Sequence, residues 1–245
     1  MLPGLYSAAA GMEAQQQQLD AISNDLANVS TTGYQSTILG FHDLLYTSGG
    51  ASSGSTVATG TGAAASVIGR SQLQGTVETT GQPLDVAIEG NGYLEVRRPD
   101  GTVGLTRNGA LQVNSQGQLT TTLGMPLQPP ITLPKGVAPS DVSIAPDGTV
   151  SMGTRKLGQI AIVNVPAPDG LLADGDSLFS ATAASGATRP ATGATVQQGA
   201  LETSNVDVSQ DMVEMIDAEQ GYNLASKAIQ YQQQMGQIAN QLKPS

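Results

Sequence analysis

Apolar residues at the start of the chain recur with a period of seven. Leu5, Met12, Leu19 and Leu26 are seven apart, and Ala8, Gln15, Ile22 and Val29 follow each of them by three. This a/d pattern has one polar d position, at Gln15. It predicts a helix of about 25 residues, roughly 38 Å long, with a narrow seam suited to packing along another helix. The end of the chain reads the same way. Val208, Met212, Met215, Ala218, Tyr222, Ala225, Ile229, Met235, Ala239 and Leu242 are spaced mostly by threes and fours. Asp207 and Gln210 have the spacing of a capping box, Asp211 and Glu214 place negative charge in the opening turns, and Lys243-Pro244 closes the far end.

Such seams serve either an intramolecular hairpin that ties the termini together or a self-assembly device built from many subunits. The seam is rich in Ala, Gln and Met, so a lone pair of helices buries little. Gly11, Gly221 and Gly236 each cost about 1 kcal/mol against Ala in a helix interior. They are tolerable where another backbone comes close, which favours assembly.

Between the helices the pattern changes. Residues 47–66 contain only Gly, Ser, Ala and Thr apart from Val57, and read as a flexible linker or an extended arm. From Val67 the period is two. Leu84, Val86 and Ile88 alternate with Asp85, Ala87 and Glu89 before a turn at Gly90-Asn91-Gly92. Pro99-Asp100-Gly101 and Pro146-Asp147-Gly148 predict hairpin turns, as does Asn114–Gly117. Gly158–Val165 reads as one continuous buried strand, and Ala181–Thr195 as a loop. The expected fold is α+β: N- and C-terminal helices forming a coiled-coil domain, with a central all-β domain. The expected boundaries are 1–46, a linker 47–66, a β-domain 67–204 and a final helix 205–245.

Composition narrows the function classes. Net charge is −10, and the ten basic residues are scattered. A nucleic-acid or anionic-membrane partner needs a clustered basic face. There is no cysteine, which excludes disulfides and thiolate zinc sites. No apolar run reaches the length of a membrane span, and the first residues lack the basic and apolar regions of a signal peptide.

Candidate chemistry is thin. His42 is the sole histidine and has no second ligand of its kind. Asp85 and Glu89 are carboxylates without a pairing signal. Asp174-Gly175-Asp176 opens like a calcium loop but carries Phe179 and Ser185 where the loop needs Gly and Glu, so it is expected to be a turn. No catalytic, cofactor-binding or metal-binding residue is expected.

Several ordered segments carry a resemblance. They are Ile22–Tyr34, with Asn24, Leu26, Ala27, Asn28 and Gly33; Asp43–Tyr46; Pro83–Tyr93, with Asp85, Ala87, Gly90 and Gly92; Thr106-Arg107-Asn108-Gly109; and Gln198–Asp207, with Thr203, Ser204 and Asn205. In this order the chain resembles the bacterial flagellar basal-body rod and hook proteins, most of all the distal-rod members. Asp25 stands where the family usually has a second Asn, and Tyr34-Gln35 where it has Phe-Lys.

The resemblance implies a structural, non-enzymatic subunit. Its paired termini line a hollow shaft that passes torque from motor to hook, with the β-domain outside. It implies as partners further copies of the chain, neighbouring rod and hook proteins, the flagellar type III export apparatus and bushing rings. It also implies export to the basal body without a cleaved signal. Leu5, Met12, Leu19, Ile22 and Leu26, with Met215, Tyr222, Ile229 and Leu242, are then the expected assembly contacts. A proximal rod subunit or a hook protein fits the same segments. A secreted β-rich adhesion module is the reading from a different class.

Overall fold

A computed structural model describes residues 3–48, 58–134 and 136–241, and these divide into two compact units. The first takes the described residues of Met1–Ala27, Thr37–Ile68 and Asp207–Ser245; the second takes Asn28–Ser36 and Gly69–Val206.

In the first unit, α1 spans Pro3–Ala27 and α2 spans Val208–Gln241. Pro3 opens α1 at a position where a missing backbone N–H costs nothing. At 34 residues α2 is about 50 Å long. Asp207 caps α2, its Oδ1 accepting from Ser209 N at 2.9 Å and Gln210 N at 3.3 Å. The expected capping box is only half formed, because Gln210 Nε2 donates forward to Glu214.

The two helices lie antiparallel and in contact. A Cβ on Gly4 would run into the Gln232 side chain, and one on Gly221 would lie 2.9 Å from Gln15 Cδ. The step of eleven residues from Gly4 to Gln15 matches the step of eleven back from Gln232 to Gly221. Glycine on one helix faces glutamine on the other, twice, in a single register. Among the described residues of the two helices, Ala14, Ile22, Asp25 and Ala218 are buried.

The same unit holds a β-ribbon. Strand Thr37–Asp43 pairs with Ala63–Arg70, and Tyr46–Ser48 pairs with Ala58–Gly60. Parts of 47–66 are therefore strand. Extended pairing satisfies backbone groups that small side chains leave uncovered. Residues 49–57 of that expected linker lie outside the described residues.

The second unit is β-rich. Its largest sheet runs in the order Leu172–Gly175, Leu178–Ser180, Val103–Thr106, Tyr93–Arg97, Ile162–Asn164, Arg189–Pro190, with every neighbouring pair antiparallel. Both faces are covered. Leu94 and Val96 point into the main core with Val86, Ile88, Leu119, Leu127 and Val150, while Tyr93 joins Leu105, Val163, Val165 and Phe179 on the opposite face.

A three-stranded meander, Val142–Ile144, Thr149–Met152 and Arg155–Gln159, continues the unit. Both Pro-Asp-Gly turns are present with a shared mechanism. Asp100 Oδ1 accepts from Thr102 N at 2.8 Å, and Asp147 Oδ1 from Thr149 N at 2.9 Å. These bonds, with those from the threonine hydroxyls, hold both carboxyls below the ordinary aspartate value.

The expected single strand 158–165 is instead two, Arg155–Gln159 and Ile162–Asn164, in different sheets. Ile160 N donates to Gly148 O at 2.8 Å while its side chain enters the main core. Val163 and Val165 enter the second core, so the chain has to change sheets between them.

Candidate functional site

The segment that follows α1 and the segment that precedes α2 are both held in the second unit, in a junction built around one buried ion pair. Arg107 Nε lies 2.9 Å from Glu202 Oε2, with side chains 1% and 3% exposed. Strand Ala200–Glu202 fixes Glu202 by pairing with Val77–Thr79. Its second oxygen, Oε1, accepts from Gly75 N at 3.0 Å. Arg107 also donates to Gly90 O at 3.0 Å, and its guanidinium sits 5.9 Å from the Tyr93 ring centroid. Each buried charge is thus matched by charge and by hydrogen bonds, the condition for tolerating such a pair.

Tyr93 extends the network. Its hydroxyl is directed at Gln72 Oε1 (3.0 Å) and Gln35 Oε1 (3.3 Å). Burial pushes this phenol above its usual value of 10. Arg70 donates to Gln35 O at 2.9 Å and to the Tyr34 hydroxyl at 3.2 Å.

Asn205 ties the exit. Its Oδ1 accepts from Ser36 N at 2.7 Å, and its Nδ2 donates to Leu73 O at 2.9 Å and Ser71 O at 3.2 Å. One side chain therefore fixes the backbone of two other segments.

Gly33 closes the junction. Its φ is +67°, and its N donates to Glu202 O at 2.9 Å. A Cβ there would lie 2.6 Å from the backbone of Arg107 and Asn108. Gly33→Ala is therefore expected to destabilise the β-rich unit by roughly 1–3 kcal/mol, combining left-handed strain with the clash. Urea unfolding followed by tyrosine fluorescence checks this, and an unshifted midpoint would mean the junction is not tightly packed.

Other motif residues act nearby. Thr106 Oγ1 donates to Ser177 O and accepts from Asn108 N. Gly109 sits so close to Val86 O that no side chain fits. Gly92 is buried, with the Ile162 side chain occupying the place of a Cβ. Ala87 is fully buried, Thr203 N donates to Thr76 O, and Ser204 Oγ accepts from Val206 N. Asp85 Oδ2 accepts from Thr80 Oγ1 at 2.6 Å. Asn28 Oδ1 accepts from Thr31 Oγ1 at 3.1 Å.

On the helices, Ile22 is buried, and Leu5, Met12, Leu19, Leu26, Met215 and Ile229 are half-buried. Tyr222 is exposed, as are Asn24 and Ala27, and Leu242 lies outside the described residues.

The sequence pattern had missed a second stripe on α2. Leu224, Tyr231 and Ile238 are 67%, 65% and 55% exposed, and they are seven residues apart. Val213 and Ile216 continue the stripe toward the N-terminal end. The period was available in the sequence. It was hidden behind the first stripe, which accounts for the helix by itself. Phe41, Leu45, Val67 and Ile68 are exposed on the ribbon segments. Most of the exposed large apolar side chains among the described residues thus belong to the helical unit. Large apolar side chains exposed in a row along one helix face are the kind of surface that marks an interaction site.

The residues weighed for chemistry have other roles. His42 is exposed on strand Thr37–Asp43. Glu89 accepts from Thr195 Oγ1 at 3.2 Å. Asp174 accepts from Arg98 Nη2 at 2.5 Å and from Ser180 Oγ, and Gly175–Ser177 form a turn with positive φ. No helix is long and apolar enough to cross a membrane among the described residues.

Three family descriptions match the chain in order: "Flagella basal body rod protein" over residues 5–35, "Flagellar hook protein FlgE/F/G D1 domain" over 87–152, and "Flagellar basal body rod FlgEFG protein C-terminal" over 197–242. The flagellar basal-body rod protein FlgG of Borreliella burgdorferi is 38% identical, with 99% of each chain covered. FlgG of Caulobacter vibrioides is 37% identical over 99% of this chain and all of the relative. The rod protein FlgF of Salmonella typhimurium is 32% identical over 97% of each.

Proposed function

The chain belongs to the flagellar basal-body rod protein family, and from that premise we propose how its two units build a distal segment of the rod. It is a structural subunit of the bacterial flagellar basal body. The observation that carries this is the near end-to-end match at 37–38% identity to FlgG proteins. The lower 32% identity to a FlgF protein ranks a proximal position second.

In our reading α1 and α2 form an antiparallel coiled coil within each subunit. Leu5, Met12, Leu19, Ile22 and Leu26 of α1, with Met215, Tyr222 and Ile229 of α2, expected from the sequence as contacts between subunits, hold that seam and its flanks within the chain in this reading. The outward stripe Val213, Ile216, Leu224, Tyr231 and Ile238 packs on further copies, so that helices from many subunits make a hollow shaft. The exposed apolar ribbon residues add a second contact. A seam of Gly, Ala and Gln lets backbones approach closely and leaves large side chains free to point outward.

The shaft carries torque from motor to hook, and each end meets neighbouring rod or hook proteins inside bushing rings. Subunits reach it through the flagellar type III export apparatus without a cleaved signal. The buried Arg107–Glu202 junction supports torque transfer, because it grips both segments that lead to the helices.

Deleting the chain is expected to leave cells without hook or filament and unable to swim, and resupplying it should restore swimming. A deletion strain that still assembles hooks would overturn the assignment.

A further inference from the structure

The outward stripe of α2 carries two charges of opposite sign. Its period of seven runs Asp217, Leu224, Tyr231, Ile238, so a carboxylate takes the first place. Lys227 comes three residues after Leu224 and four before Tyr231, the spacing at which helical residues share a face. Both charged residues are exposed. Single polar residues in an otherwise apolar heptad seam fix the register of packing at some cost in stability.

These two charges do not meet within one copy. Ten residues of helix hold them about 15 Å apart. Neither forms an ion pair elsewhere among the described residues; the pairs Arg98–Asp174 and Arg107–Glu202 lie in the β-rich unit. Lys227 is also the sole basic residue on α1 and α2 over Pro3–Ala27 and Val208–Gln241. The acids of α2 all precede it, at Asp211, Glu214, Asp217 and Glu219, and Asp217 is the one on the heptad of the stripe.

We propose that Lys227 of one copy pairs with Asp217 of the next and so sets the register in which the α2 stripes pack. This rests on the function proposed for the stripe as a contact between copies. The occupant is a second copy of this chain, because Lys227 calls for an acid opposite it and the stripe itself supplies one. Parallel helices offset by ten residues bring the two charges together. The same offset sets Leu224 beside Val213 and Ile216 of the next copy, and Tyr231 beside Leu224 of the next copy. Each copy then offers Asp217 to one neighbour and Lys227 to the other. That head-to-tail contact continues from copy to copy, as a shaft requires. An antiparallel arrangement would satisfy both charges inside a closed pair and end growth.

Opposed like charges at such a contact are strongly unfavourable, whereas on the free helix each side chain faces water. Charge reversal therefore separates the two states. The test uses intact cells in which the chain carries a photoreactive amino acid at position 224, and reads cross-linked multimers and swimming. Asp217→Lys and Lys227→Asp are each expected to abolish swimming and to lower the multimer bands at least tenfold. The double reversal, Asp217→Lys with Lys227→Asp, should recover both, and that rescue excludes a folding defect in either single variant. Glu219→Lys, an exposed acid off the heptad, should behave as wild type.

Single reversals that swim and cross-link like wild type would overturn the pairing while leaving the stripe as an interface. A double reversal no better than the singles, or a Glu219→Lys defect as severe as that of Asp217→Lys, would also overturn it. Bands that stop at twice the subunit mass would contradict the head-to-tail arrangement. If the unreversed chain gives no multimers from position 224, the stripe contact itself fails, and the pairing with it.

Discussion

Arg107→Ala is expected to cost the β-rich unit about 3–5 kcal/mol, because it strands a buried carboxylate. Glu202 is 3% exposed and would keep only the Gly75 N–H as a donor of those now holding its carboxylate. Against a typical total of about 5–15 kcal/mol, that is roughly a fifth or more of the stability. Urea unfolding followed by tyrosine fluorescence measures it.

Replacing both partners together, Arg107→Met with Glu202→Leu, should recover part of the loss, because no uncompensated charge then remains. Even so, the repaired pair would not regain the bond from Arg107 to Gly90 O or the ring contact with Tyr93. A loss below about 1 kcal/mol for the single change would mean the pair behaves as an exposed salt bridge.

Leu224→Glu combined with Tyr231→Glu is expected to abolish assembly while leaving the isolated subunit folded. Both side chains are about two-thirds exposed within the chain, so glutamate there meets water and the monomer loses little. In a shaft the same positions would be buried between copies. Burying one large apolar side chain contributes about 1.5–3 kcal/mol, so the two together account for about 3–6 kcal/mol per subunit. That corresponds to roughly two to four powers of ten in association. Cells carrying the pair should export the subunit yet build no rod beyond it. Normal rods with both glutamates in place would remove the stripe from the interface.

Helices were the most legible part of the sequence, because a period of seven held over four repeats is the mark of a helix packed along one narrow seam. The first helix begins at Pro3 and the last at Val208, next to the aspartate that caps it. Turns were legible where side-chain chemistry is local, as in Pro99-Asp100-Gly101-Thr102 and its repeat at Pro146. What could not be read was anything fixed by partners far apart. Arg107 and Glu202 are 95 residues apart and meet only because two strand pairs place them together. The break at Ile160 depends on which of two cores claims each apolar residue. The junction motifs could be quoted from a resemblance, but their convergence on one network around Arg107, Tyr93 and Asn205 is visible only in the fold.

The stripe on α2 is tested most directly in intact cells with a photoreactive amino acid at position 224. Irradiation should join Leu224-substituted subunits to one another or to neighbouring rod proteins, giving bands at twice the subunit mass and above. The same residue at Leu123, exposed in the β-rich unit, serves as the comparison. Strong multimer bands from position 224 are the predicted result. A band confined to the monomer, in cells that still swim, would contradict assembly through this face of the helix.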